Sequence, residues 1–240
     1  MKEYKSNILT VIWDVKSILL LVLLSLIDVA MVYFLDNLSG FPLFFDYFGA
    51  MAGACIGGPI LGVLIALLST IIRIIFGINE VNIIFVLEAI ALAVFVGVYV
   101  RLGFFYKKRG VIIGAVLCAL MEAFFITAMH LALYGAQPQN YSLYKSLFFM
   151  MRRIGMLTPF ASLVGFFVTN VLDKGIILFI IYFLITKMPD SIAKFFEISK
   201  DFPQAVVVNN QGEEDFLAES EKLKAKAQEK IDKRREKEES

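Results

Sequence analysis

The chain has 240 residues, of which 59% are hydrophobic and 19% charged, with a formal net charge of +1. A water-soluble domain of this size could not bury so much apolar surface in one core, so composition excludes an ordinary soluble enzyme and points to the bilayer. The near-neutral total hides an uneven distribution, because acidic and basic residues crowd the C-terminal end while the apolar runs carry few.

A hydrocarbon core of about 30 Å takes about 20 helical residues to cross. Turn residues and charges divide the chain into six such runs, predicting an all-α integral membrane bundle of about six transmembrane helices with a charged tail. The first run, Ser17 to Leu35, ends in Asp36-Asn37-Leu38-Ser39-Gly40. With further spans after it and no small-residue cleavage pattern, it reads as a retained helix and not a signal peptide. The second, Phe41 to Gly57, is short, and Gly58-Pro59 separates it from the third, Pro59 to Phe76. A turn at Gly77 to Glu80 precedes the fourth, Val81 to Leu102, and the fifth runs from Val111 to Tyr134. A polar stretch from Gly135 to Lys145 and an interfacial segment from Ser146 to Leu157 lead to the sixth, Pro159 to Ile185.

Residues 1–189 therefore form the membrane domain, and residues 190–240 a charged cytoplasmic tail, helical or disordered. Lys and Arg in short loops prefer the cytoplasm. Placing both termini there collects Lys16, Arg101, Lys107, Lys108, Arg109 and Lys187 on that side, and predicts a multi-pass protein of the cell membrane.

The second and third runs carry Gly49-x-x-x-Gly53-x-x-x-Gly57 and Gly58-x-x-x-Gly62-x-x-x-Ala66, faces of small residues that let helix backbones approach. Packing within the bundle is the first expectation, and docking to another membrane protein the second. Cys55 and Cys118 lie in apolar runs and read as small hydrophobes. The chain has no phosphate-binding loop, no H-E-x-x-H, and a single His, so neither an enzyme nor a metal or cofactor protein is expected.

Ionisable groups inside spans are costly and mark function or a structural lock. Counting about 1.5 Å per residue places Asp28, Asp46, Arg73, Glu88 and His130 in the outer half of the membrane, with Glu80, Asn82, Arg152 and Arg153 at its mouth. Asp46, Arg73, Glu80, Asn82, Glu88, His130 and Arg152 are the candidate solute contacts, with Arg73 and Glu88 the favoured pair. Near the midplane, Glu122 comes level with Asn170, Asp173 and Lys174; Glu122 and Lys174 are expected to form a structural ion pair. His130 reads as a hydrogen-bonded packing residue.

The stretch Phe45-Asp46-Tyr47-Phe48-Gly49-Ala50, then Gly57-Gly58-Pro59-Ile60-Leu61-Gly62, the polar turn at Gly77 to Asn82, and Asn170-Val171-Leu172-Asp173-Lys174-Gly175 running to Lys187-Met188-Pro189 resemble the substrate-binding S components of energy-coupling factor (ECF) transporters. The resemblance covers roughly residues 10 to 195. It implies a six-helix bundle that captures a vitamin-like or other small polar micronutrient at the extracytoplasmic side, and that works with a transmembrane coupling protein and two ATPases. Members often offer Ala-x-x-x-Ala on the first span to the coupling protein; here that span offers Ser25, Val29 and Ala30, and Ala50-x-x-x-Ala54 is a substitute. An alternative is a multi-span sensor without an attached output domain, since Gly57-Gly58-Pro59, Gly62 and Ser69-x-x-x-Arg73 also look like the receptor domain of certain bacterial sensor kinases. A third is a membrane scaffold that presents the tail.

Overall fold

The structure is a computed structural model and describes residues 15–37, 46–78, 85–135 and 142–196. Every regular element among them is helical: α1 (Val15–Asn37), α2 (Phe48–Gly57), α3 (Pro59–Phe76), α4 (Phe85–Arg101), a 3-10 turn at Phe104–Tyr106, α5 (Lys108–Tyr134), α6 (Ser142–Arg153), α7 (Thr158–Thr186) and α8 (Asp190–Phe195). Four of these, α1, α3, α5 and α7, are long and apolar enough to cross a membrane. Their outer faces carry large apolar side chains, with Leu19, Ile75, Phe124 and Leu184 each half or more exposed. Such a surface suits lipid, where each helix satisfies its own backbone polar groups. The chain is a helical membrane protein.

At the second and fourth runs the helices are shorter, ten residues in α2 and 17 in α4. The residues that the sequence reading adds before them, 41–45 and 81–84, lie outside the described residues, as does the charged tail from 197 onward. The interfacial segment is helical from Ser142 to Arg153, four residues earlier than its expected start.

Local chemistry fixes the helix ends. Pro59 opens α3, where its missing N–H costs nothing, and Gly77 closes it in the left-handed region at φ 63°, with the Ile78 N–H donating to the Arg73 carbonyl at 2.9 Å. Between α2 and α3, Gly58 adopts φ 90°, and Arg101 at the end of α4 donates from Nη2 to the Gly57 carbonyl at 3.1 Å. A side chain at Gly58 would run into that guanidinium.

Helices α1 to α4 pack on one another, and α5, α6 and α7 form a second group; the two halves meet along α4 with α5 and α2 with α7. The small-residue faces are used inside the first half. Gly49 lies against the Leu24 carbonyl of α1, and a Cβ at Gly62 would come within 2.9 Å of the Ala50 carbonyl in α2. In the second half, the Tyr144 ring of α6 stacks on Phe166 of α7 with centroids 4.0 Å apart, while its hydroxyl bonds Ser162 Oγ at 2.8 Å. Lys145, Phe149, Arg152 and Arg153 face outward from α6, so this helix has one docked face and one basic, partly apolar face.

Candidate functional site

The seam between the halves is polar at its centre. Lys174, in the middle of α7 and 1% exposed, sends its ammonium to three carboxylates. Asp173 Oδ2 lies at 2.8 Å, Glu122 Oε1 of α5 at 3.0 Å, and Asp46 Oδ1, in the turn before α2, at 3.1 Å. Asp46 belongs to the first half and the other two to the second, so Lys174 ties the halves together. Glu88 of α4, 3% exposed, lies within electrostatic range of Glu122, Asp46 and Lys174 from the first half. Isolated, any of these charges would cost several kcal/mol in a low-dielectric interior. Together they are partly compensated, with carboxyls in excess of ammonium.

A second carboxylate fixes the approach of α2. Asp28, 2% exposed on α1, accepts the Gly49 N–H at 2.7 Å through Oδ1. It therefore serves as a cap supplied by another helix, where the orphan N–H groups and positive dipole end of α2 favour an anion. The absence of a Cβ at Gly49 permits the contact, because any side chain there would meet the backbone of α1. Between Asp46 and α2, Tyr47 has a left-handed backbone at φ 64°, a conformation costly for an aromatic residue. The Lys174 ammonium stands over the Tyr47 ring, 5.5 Å from its centroid.

This arrangement regroups the residues of the sequence reading. Asp46 and Glu88, assigned to an outer-half group apart from the midplane residues, join Glu122, Asp173 and Lys174 in one cluster. The depth count ran α2 as helix from Phe41, whereas Asp46 and Tyr47 form a turn and the described helix starts at Phe48. Glu88 interacts electrostatically with Glu122, and Arg73 with Asp28. His130 sits eight residues along α5 from Glu122, about 12 Å away along the axis. Its ring packs against Phe166 and Tyr144 at centroid distances of 5.0 and 6.5 Å. Arg152 is exposed at the end of α6 and donates from Nη1 to the Met156 carbonyl at 2.7 Å, closing the turn into α7. Glu80 and Asn82 lie outside the described residues.

Two participants are not candidate site residues in the sequence reading. Tyr47 enters it only within the Phe45 to Ala50 stretch, where its place between Asp46 and the glycine-rich start of α2 is the one signal. Arg101 enters it only as a loop charge, yet it hooks over the α2–α3 break.

Several buried polar atoms have no hydrogen-bond partner: Glu122 Oε2, Asp28 Oδ2, Asn170 Nδ2 and Arg73 Nε. Unpaired buried polar atoms are rare in folded proteins and call for a further partner. Among the described residues, no three His, Cys, Asp or Glu side chains are grouped as metal ligands would be. The seam can thus hold polar or charged groups of a small molecule, but its carboxylates are arranged around an ammonium.

The chain matches no family model, no curated protein and no solved structure.

Proposed function

We propose that this chain is the membrane-embedded solute-binding subunit of an ECF-type uptake transporter, capturing a small polar, vitamin-like solute from the extracytoplasmic side. The observation that carries the reading is the Lys174-centred seam, a charged cluster with unpaired donor and acceptor atoms at the junction of two helical halves. A structural lock alone would be expected to satisfy its own polar atoms; a binding site keeps some for its solute. The seam also lies where relative movement of the halves would open it.

In this reading α2 and α4 join α1, α3, α5 and α7 in a six-helix bundle. Both termini are cytoplasmic. The partners are a transmembrane coupling protein and its ATPases. Asp46 and Glu88 are the solute contacts on the first half, with Arg73 behind them, and Glu122 and Lys174 form the facing wall. His130 and Arg152 remain candidate contacts, as do Glu80 and Asn82 outside the described residues.

Purification of the tagged full chain from its own host in mild detergent, with mass spectrometry of co-eluting proteins and small molecules, tests the proposal. A coupling membrane protein, ATPases and a retained solute are the expected result. Co-elution with a histidine kinase or other regulator, and no ATPase, would replace transport with the sensor reading.

A further inference from the structure

The seam carries information about the charge of what it holds. Asp46, Glu122 and Asp173 meet around the ammonium of Lys174, and the buried Glu88 lies within electrostatic range of the same group. The oxygen Glu122 Oε2 belongs to a residue 1% exposed and is left without a donor, as is Asp28 Oδ2 on a residue 2% exposed. Excess buried carboxylate is satisfied by positive charge carrying N–H donors. The group already housed there indicates what the site accommodates: an alkylammonium held by three carboxylates within 3.1 Å and standing over an aromatic ring. Asp46 keeps 29% of its side chain exposed, so the cluster is open at one edge.

We infer that the seam receives the positively charged end of an organic solute, an ammonium or amidinium group, which enters at Asp46 and lies beside Lys174 against Glu122. The inference rests on the solute-binding reading and names the class of solute. A proton held between Glu88 and Glu122 would relieve those two carboxyls without any solute, and it is the alternative that infrared spectroscopy distinguishes. The unpaired Asn170 Nδ2, one turn before Lys174 on α7, supplies a donor for a carbonyl or carboxylate elsewhere on the same solute.

The full chain in lipid nanodiscs is tested with three matched probes: benzamidine, benzamide and benzoate share a ring and carry an amidinium, a neutral amide and a carboxylate. Benzamidine alone is expected to bind and to raise the unfolding temperature. Glu122→Gln is expected to weaken its binding by at least about tenfold. If Glu122→Gln does not fold, Asp46→Asn, at the exposed edge, is expected to act in the same direction. A solute retained from the host that is cationic at neutral pH supports the inference. A retained anion or neutral solute overturns it while leaving the transporter reading intact, whereas absence of the coupling protein and ATPases counts against the transporter reading alone. Equal response to the three probes also overturns it. So does a carboxylic-acid infrared band that disappears in Glu88→Gln without any preference for benzamidine, because a proton alone then fills the role.

Discussion

Lys174 and Asp46 are 128 positions apart in the chain and 3.1 Å apart in space. The pair joins the turn before α2 to the middle of α7, beside the contact of the Lys174 ammonium with the Tyr47 ring. Replacing Lys174 with Met should therefore leave Asp46, Glu122 and Asp173 facing one another. The expected loss is about 3–5 kcal/mol of stability, read as a lower unfolding temperature in detergent. Lys174→Gln combined with Asp46→Asn should lose less than the sum of the single changes, with a coupling of about 0.5–3 kcal/mol in a double-mutant cycle. Strict additivity would mean that the pair contributes nothing.

Two glycines separate close packing from helix propensity. Gly62→Val should destabilise by about 1–3 kcal/mol, because the side chain would be forced against the backbone of α2. Gly175→Ala, in the interior of α7 with no atom within 4 Å of the added carbon, should be neutral or stabilising by up to about 1 kcal/mol. Thermal unfolding of the two variants side by side checks the contrast, and a reversal of sign at either position would contradict this packing.

These contrasts also mark what the sequence could reveal. Apolar runs bounded by Gly-Pro and Gly turns located the helices, because length and composition govern bilayer crossing. The small-residue spacing identified the faces along which α2 and α3 approach. Relative depth was harder to read: it depends on where helix gives way to turn, and nothing in Phe45-Asp46-Tyr47-Phe48 announces that Tyr47 takes a left-handed backbone. Long side chains add to the difficulty. Lys174 reaches a neighbouring helix and Arg101 reaches the α2–α3 break, so the position of their Cα atoms underestimates what they touch.

On the second half, Tyr144→Phe removes the hydroxyl that meets Ser162 but keeps the ring on Phe166. The expected cost is about 1 kcal/mol, mirrored by Ser162→Ala. Tyr144→Ala also removes the stacked ring and should cost about 3–5 kcal/mol. Its clearest sign would be faster tryptic cleavage at Lys145, Arg152 and Arg153 as α6 leaves α7. An unchanged cleavage rate in Tyr144→Ala would mean that α6 is held by other contacts.

Arg101→Gln should weaken the bond to the Gly57 carbonyl, replacing a charged donor with a shorter neutral one, at a cost of about 1–2 kcal/mol. The accompanying sign is structural: a cysteine pair placed across the α2–α3 break should cross-link at a different rate in the variant. Equal rates and equal stability would leave the arginine with no part in holding the break.

With Asp28 at one end and Arg101 at the other, α2 is a strut pinned at both tips. Its ten residues span about 15 Å, too few turns to bend or stretch appreciably. Any push on Asp46 and Tyr47 must therefore travel along the rod as a whole and arrive at Gly57, where the chain reverses through a glycine. The strut thus has one tip beside the carboxylates and the other under a guanidinium.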